Sequence, residues 1–377
     1  MKILYAFPEP LPLPRARGVQ VAHAVASIAA AGIATVLTYV PVAGAEPLQP
    51  IGLKPPDGLS LVPLGRGLPD PLCRVPLFSN LHSVRFYVAR LIREIEAHRP
   101  DAIYARHPKL VDRLLRYKKL PPIIYEAHEV FADTAGSDRR KRIALIEQNV
   151  MRGAAGIVCN SQATADRLTA LYSPTASIIV LPNGVAPIQE QGDKDWGCCR
   201  QHVIYTGSFF GWKGVADLIA ATPELEGFHI TLIGGELHQI DRLRRDLPNV
   251  GASVEILPRL SHGEVLRQLA RACIAVLPNR PDPESTFTSP IKLFEYMASG
   301  CAVVASDLPS IREILADDEA VWFEPGNPES LAAALRAVGS DCTRAQALGD
   351  RLRAKSATYT WWNRAQRLKT FLESTLA

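Results

Sequence analysis

Residues 289–313 read Ser289-Pro290-Ile291-Lys292-Leu293-Phe294-Glu295-Tyr296-Met297-Ala298-Ser299-Gly300, then Ala302-Val303-Val304-Ala305-Ser306-Asp307, then Ser310-Ile311-Arg312-Glu313. Ser289 suits a helix N-cap and Pro290 the first helical position. Leu293, Phe294 and Met297 recur at helical spacing, so one face of this helix is buried. Gly300 is placed to end it in the left-handed conformation. A short β-rich run follows at once. Ser310 with Glu313 then predicts a capping box for the next helix. Loop, helix, strand and helix in this order belong to an open α/β sheet.

The start of that first helix carries the chemistry. Unsatisfied N–H groups and the helix dipole make it an anion seat, and Lys292 adds a full charge near it. Glu295 lies three residues on, on nearly the same face. An anion seat with a carboxylate beside it suits a nucleoside diphosphate, phosphate on the N–H groups and ribose hydroxyls on the carboxylate. Spacing alone reads equally as a capped helix with a surface Lys–Glu pair.

The run resembles the donor-nucleotide motif of the family-4 retaining glycosyltransferases. That resemblance implies a GT-B fold: α/β, two Rossmann-like domains facing across a cleft, with a C-terminal helix crossing back to the first. It also implies that Glu295 binds the ribose. The family's first glutamate would stand eight residues earlier, where this chain has Phe287. A subgroup with a Ser-Pro-x-Lys turn at this place also lacks it.

Length and composition bound the rest. The 377 residues, 47% of them hydrophobic, suit two globular domains. Seven cysteines stand at 73, 159, 198, 199, 273, 301 and 342 with no Cys-x-x-Cys pair, which predicts a reducing cytosol. Met1 to Phe7 before Pro8 is too short for a signal-peptide core. Residues 20–45 carry no Asp, Glu, Lys or Arg. Gly32 divides them into an Ala-rich helix and a strand, so they are read as a soluble α–β unit and not a membrane span. Residues 1–190 hold 22 Lys and Arg against 15 Asp and Glu, the remainder 20 against 23. Basic clusters stand at Arg85/Arg90/Arg93, Arg113/Arg116/Lys118/Lys119 and Arg139/Arg140/Lys141/Arg142. A cytoplasmic protein peripheral on an anionic membrane face accounts for them, and so do ordinary solvated helices. No nucleic-acid-binding motif accompanies them, so nucleic acid is not an expected partner.

Along the chain, Lys2 to Phe7 reads as a buried strand, followed by a proline-rich loop and Gly18, which opens a helix. The family resembled has a glycine-rich loop here, near the transferred sugar and the acceptor. Gly18 fits it, and Arg15 and Arg17 are candidate contacts to an acidic acceptor; both also read as loop charges. Residues 41–80 look like an insertion or lid with little periodicity. Arg85 to His98 is a basic amphipathic helix. Strands at 101–106 and 122–126 end in Arg106-His107 and His128-Glu129, at the strand ends where this architecture places chemistry. Arg106 joins the acceptor candidates, and the resemblance puts His128 by the sugar ring. Ala132 rules out a zinc-protease reading of His128-Glu129. Residues 182–185, Pro-Asn-Gly-Val, resemble a family tetrad and read equally as a turn.

Residues 189–200 are polar and aperiodic and are taken as the linker. The expected domains are 1–190 for the acceptor and 200–355 for the nucleotide sugar, with 356–377 as the crossing helix. In the second domain, Gly207-Ser208 is a turn after a strand, and Lys213 matches the family's diphosphate lysine. The family's arginine falls on Ser208, a second departure. Gly234 and Gly235 end a strand and allow close backbone approach near the donor. The family holds the base by backbone groups at the strand ending in Leu257. Ser261 and Glu264 make a capping box. Ser289, Pro290 and Ile291 complete the donor set.

Together these imply a retaining hexosyltransferase using a nucleoside-diphosphate sugar, UDP or GDP, and a carbohydrate or lipid-linked acceptor, as in cell-surface polysaccharide or glycolipid assembly. Catalysis falls to His128, Lys213 and Lys292. No cofactor is expected, and there is no clear seat for a divalent metal ion. The rivals are a nucleotide- or glycan-binding scaffold that has lost the reaction, suggested by Phe287 and Ser208, and a sugar-nucleotide epimerase of similar architecture.

Overall fold

The structure is a computed structural model that describes residues 1–13, 15–48, 52–65, 84–186, 194–197, 202–287 and 289–377. It forms two compact units, Met1–Pro182 with Trp361–Ala377, and Asn183–Thr360. The first holds a seven-stranded parallel sheet: β1 (Lys2–Leu11), β2 (Ala34–Pro41), β3 (Leu59–Pro63), β4 (Ala102–Ala105), β5 (Ile123–Ala127), β6 (Gly156–Cys159) and β7 (Ser177–Val180), in the order β3-β2-β1-β4-β5-β6-β7. The second holds six strands: β8 (Val203–Thr206), β9 (His229–Ile233), β10 (Ser253–Leu257), β11 (Ile274–Leu277), β12 (Ala302–Ser306) and β13 (Val321–Phe323), in the order β10-β9-β8-β11-β12-β13. Both orders reverse direction beside the first strand of the unit, between β1 and β4 and between β8 and β11. Ligands of open α/β sheets bind outside the carboxyl ends at such switch points.

The strands flanking the switch points are buried on both faces, which is why they read as continuous apolar runs: all of β4, β5, β6, β8, β11 and β12 is buried. The edge strand β3 is only half-buried and pairs with β2 from Thr35–Leu59 to Tyr39–Pro63. It lies inside the stretch read as an aperiodic insertion; an edge strand with one covered face leaves little apolar signal. Residues 66–80 of that stretch lie outside the described residues. The chargeless segment is a helix, Ala16–Ala30, then Gly32 at φ +85°, then β2. Among the described residues no helix is long and apolar enough to cross a membrane. Helix Trp361–Leu376 belongs to the first unit, where Ala365, Leu368, Phe371 and Leu372 join the core around Tyr5 and Tyr104.

Most of the linker reading, 189–193 and 198–200, lies outside the described residues. Residues 194–197 are built into the second unit instead of spanning solvent. The Lys194 ammonium donates to the carbonyls of Leu269 (2.6 Å) and Ala272 (2.5 Å), capping the end of helix His262–Arg271. A cation there meets the negative end of the helix dipole and the orphan carbonyls together.

The opening stretch needs two corrections. Helix Ile291–Ala298 starts one residue late, with Pro290 as N-cap, because the Ser289 hydroxyl accepts from the Asn183 N–H at 3.1 Å. The next helix, Pro309–Arg312, has Leu308 as N-cap and no side-chain cap, and the Ser310 hydroxyl donates to the Ser285 carbonyl at 2.8 Å. Tertiary partners claimed both hydroxyls. The C-terminal signal reads as expected: Gly300 has φ +63°, its N–H bonds to the Met297 carbonyl, and the Cys301 N–H bonds to the Tyr296 carbonyl, a Schellman motif.

Candidate functional site

Three strand ends build the floor in the second unit. After β8, Gly207 (φ +133°) donates its N–H to Ile233 at the end of β9; Gly234 (φ +129°) donates to the carbonyl of Leu257 at the end of β10. A Cβ at Gly234 would stand 2.0 Å from the Gly207 carbonyl oxygen, and one at Gly235 would enter the Phe209 ring. These turns therefore require glycine. The Leu257 carbonyl is used by Gly234, so this group serves the protein.

A single 3-10 turn, Gly211–Lys213, then sets Lys213 beside the end of β11. The turn closes on Gly214 at φ +69°, whose added Cβ would collide with the Pro278 carbonyl at 1.6 Å. Buried Asp217 takes both Nε (2.7 Å) and Nη2 (2.5 Å) of Arg280, and the Arg280 N–H donates to the Trp212 carbonyl. This fork ties the loop after β11 to the lysine turn. The Lys213 ammonium lies 3.6 Å over the Trp212 ring, and burial pushes it down to about 7.

Lys292, in the first turn of helix Ile291–Ala298, turns inward. Its ammonium is buried 3.9 Å over the Tyr205 ring and has no hydrogen-bond partner among the described residues. Burial first, then the Lys213 charge, holds it well below the ordinary lysine range. Glu295 is 8% exposed, and its Oε1 lies 3.0 Å from His262 Nε2. That bond raises the His262 imidazolium against the opposing effect of burial. The surface Lys–Glu pair does not form: Lys292 is buried without a hydrogen bond among the described residues, and Glu295 has a histidine. Ser261 and Glu264 form the expected capping box, which places His262 at the first helical position facing Glu295. The capping signal was legible; the histidine between its members was not singled out. Asn183, after β7, is buried against the loop at Ser289, its Nδ2 donating to the Ser289 carbonyl at 2.6 Å. Phe287 is buried, and the Ser208 carbonyl accepts from the Tyr205 hydroxyl.

The first unit carries the remaining candidates. Gly18 is the third residue of its helix, not the first; a Cβ there would meet the Leu13 carbonyl at 2.2 Å. Arg15 and Arg17 are exposed, and Arg17 pairs with Glu9 at 2.7 Å. Arg106, after β4, donates to Gln20 Oε1 at 3.0 Å. His128, after β5, has Nδ1 3.3 Å from Gln20 Nε2 and Nε2 3.4 Å from Glu126 Oε1. Burial and then the Arg106 charge push it down to about 4, with Glu126 opposing. Its ring is neutral at neutral pH, suited to hydrogen bonding and not to donating a proton as an acid. Gln20, Glu126 and Arg364 were not singled out from sequence, since each sits in an otherwise apolar or amphipathic run.

Two sequence profiles match the chain: Glycosyltransferase Family 4 over residues 19–188, and Glycosyl transferases group 1 over residues 200–341. No curated protein sequence matches it. Solved structures that share the fold include a sucrose-phosphate synthase from Thermosynechococcus elongatus (16% identity, 99% of each chain, TM-score 0.77). HepE of Anabaena, solved with UDP and glucose, is 17% identical over 99% of this chain and 100% of its own, with a TM-score of 0.75. WaaG, a glycosyltransferase of lipopolysaccharide biosynthesis, is 15% identical over 98% and 99%, with a TM-score of 0.69. The two profiles cover the two parallel-sheet units in turn, the sheets have the GT-B strand plan, and the chain belongs to the group 1, family-4 glycosyltransferases.

Proposed function

We propose that the chain transfers a sugar from a nucleoside-diphosphate donor to a hydroxyl of a carbohydrate or lipid-linked acceptor, with retention of configuration. One observation carries the donor reading. The buried Lys292 ammonium has no hydrogen-bond partner among the described residues and lies with Lys213 at the switch point of the second sheet. A buried cation without a partner is costly until an anion meets it. A diphosphate is that anion, and Glu295 takes the ribose hydroxyls. The glycine turns at Gly207, Gly234 and Gly235 admit the donor, with Leu257 near the base and Ser289, Pro290 and Ile291 at the helix start. As the glycosidic bond breaks, charge grows on the leaving diphosphate, and the two lysines stabilise it without a divalent ion. His128 and, for the acceptor, Arg15, Arg17 and Arg106 serve the sugar end. UDP is the favoured donor nucleotide, since HepE was solved with UDP and with UDP-glucose. Phe287 and Ser208 favour a second reading, a donor-binding scaffold without turnover.

Calorimetry with UDP-, GDP-, ADP- and TDP-sugars tests the donor, and product mass with an acceptor tests transfer. A ligand at 100 times its Kd should stabilise the chain by about 2.7 kcal/mol. If none of the four binds, the reading fails; binding without transfer selects the scaffold.

Lys213 makes a pH prediction. Free, it titrates near 7; beside a diphosphate its charged form is favoured and its pKa rises. Binding at pH 7 and above should therefore take up protons, and affinity should fall as pH rises from about 7. Nucleotide calorimetry in buffers of different ionisation heat reads this directly. Equal apparent enthalpies across buffers would show that Lys213 does not meet the phosphates.

An anionic membrane face is the proposed location of the acceptor. A groove of about 470 Å³ between helix Val84–His98 and the loop at 117–121 has Ile92 and Ile95 in its wall and Arg99, Lys118 and Lys119 around it. Electrostatic attachment weakens with salt. Flotation with anionic vesicles should fall sharply from low to high ionic strength, and absence of flotation at both would point to a soluble acceptor.

A further inference from the structure

His128 does not stand alone. Arg106 has only donors, and its Nη1 points at Gln20 Oε1. The oxygen of the Gln20 amide must therefore face Arg106, which turns its NH2 toward His128 Nδ1. Nδ1 is the acceptor of that contact, so the one proton of the neutral ring sits on Nε2. That nitrogen lies 3.4 Å from Glu126 Oε1, an electrostatic contact without the geometry of a hydrogen bond, and Asn160 Nδ2 donates to the His128 carbonyl at 3.1 Å and fixes the backbone. Glu126 is in turn held from the far end of the chain. Arg364, in helix Trp361–Leu376, donates to Oε1 at 2.6 Å, and the Tyr5 hydroxyl donates to Oε2 at 2.8 Å. The Arg364 and Glu126 side chains are 5% and 2% exposed.

A buried ion pair of this kind adds little net stability compared with an apolar pair of the same shape, and removing one partner strands the other charge. Its placement under a loop histidine points to orientation. We propose that Gln20, Glu126 and Arg364 are positioning residues that hold the His128 ring in one orientation and one tautomer, and that through Arg364 the last helix is a working part of the site. This rests on reading His128 as a residue of the sugar end. The charged groups facing the ring are Arg106 after β4, Glu126 on β5 and Arg364 on the last helix. Burial works against ionisation of Glu126, but the facing His128, Arg364 and Arg106 outweigh it and hold its carboxyl well below the usual range. Without Arg364 the carboxylate loses its fixed cation, and the imidazole becomes the group that takes up a proton to neutralise it.

Long-range proton–nitrogen spectra of the nitrogen-15-labelled full chain read the tautomer and charge of each histidine. The His128→Gln variant assigns the signal. The unmodified chain should show one neutral Nε2–H form across about pH 5–8, the range in which an ordinary histidine titrates. Arg364→Met should bring the His128 titration into that range, and Arg364→Lys should restore the original behaviour. Gln20→Leu keeps the ion pair and should mix in the Nδ1–H form. An Nδ1–H or charged ring in the unmodified chain overturns the proposal, as does an Arg364→Met spectrum identical to it. Should Arg364→Met not fold, Gln20→Leu decides alone: a mixed tautomer supports the proposal and an unchanged one overturns it. The spectra need no nucleotide, so they stand apart from the donor reading. A normal His128 spectrum in a chain that transfers no sugar would sink transfer and leave the positioning intact.

Discussion

Lys292→Met should cut glycosyl transfer by about 10²–10³-fold while making the nucleotide-free protein more stable. The rate loss is that of removing one preorganised group aimed at developing charge, about 2.7–4 kcal/mol. The stability gain has a separate cause. The Lys292 ammonium is buried over the Tyr205 ring with no hydrogen-bond partner among the described residues, and burial holds it well below the ordinary lysine range. An unfolded lysine keeps its proton up to about pH 10.4. Between the lowered folded pKa and that value, the unfolded state binds more protons, so this residue destabilises the apo fold at neutral pH and less so as pH rises. Methionine fills similar space without a charge to desolvate. A gain of 1 kcal/mol would raise Tm by about 2–4 °C in a unit of this size. Lys213→Ala should lose rate by a similar factor. Steady-state kinetics and thermal melts of the same preparations check both effects. Normal turnover in both lysine variants would mean that the donor site lies elsewhere.

Glu295→Gln should weaken binding of the bare nucleotide about tenfold. A carboxylate accepting ribose hydroxyls makes charge-assisted bonds, worth about 1.5–3 kcal/mol. His262 holds Oε1 at 3.0 Å, so in the proposed complex Oε2 is the oxygen that meets the ribose. Glutamine keeps the shape and loses the charge, so the loss measures the charge. Phe287→Glu should leave nucleotide affinity within about threefold, because the resemblance places the missing glutamate nearer the sugar than the ribose; its effect should appear in sugar preference or turnover. Calorimetry with UDP and GDP separates the two variants. Unchanged affinity in Glu295→Gln would leave this carboxylate as a partner of His262 alone.

Much of the architecture was legible in the residues themselves. Short apolar runs such as Ile274–Leu277 and Ala302–Ser306, each flanked by turn residues and amphipathic helices, specify buried parallel strands because only a strand covered on both faces tolerates them. Gly300 announced the end of its helix because the left-handed position that ends it carries no cost for glycine. Gly207 and Gly234 stand at strand ends, which are readable from the same runs. These signals are local: they depend on helical or strand period and on backbone conformation within a few residues.

Partners and charge states were decided by the tertiary structure. Ser289 and Ser310 both looked like caps, and each hydroxyl serves another segment, Asn183 in one case and Ser285 in the other. Lys292 and Glu295 looked like partners at helical spacing, yet one is buried over Tyr205 and the other bonded to His262. Glu126 and Arg364 are 238 residues apart and meet because the last helix returns to the first sheet. Which charges meet, and whether water reaches them, follows from strand order and from which helices cover the sheet. Those long-range distances have no period along the chain, so the sequence by itself determined where polar groups gather at the strand ends, and the folded structure alone determined which of them are paired and which are buried.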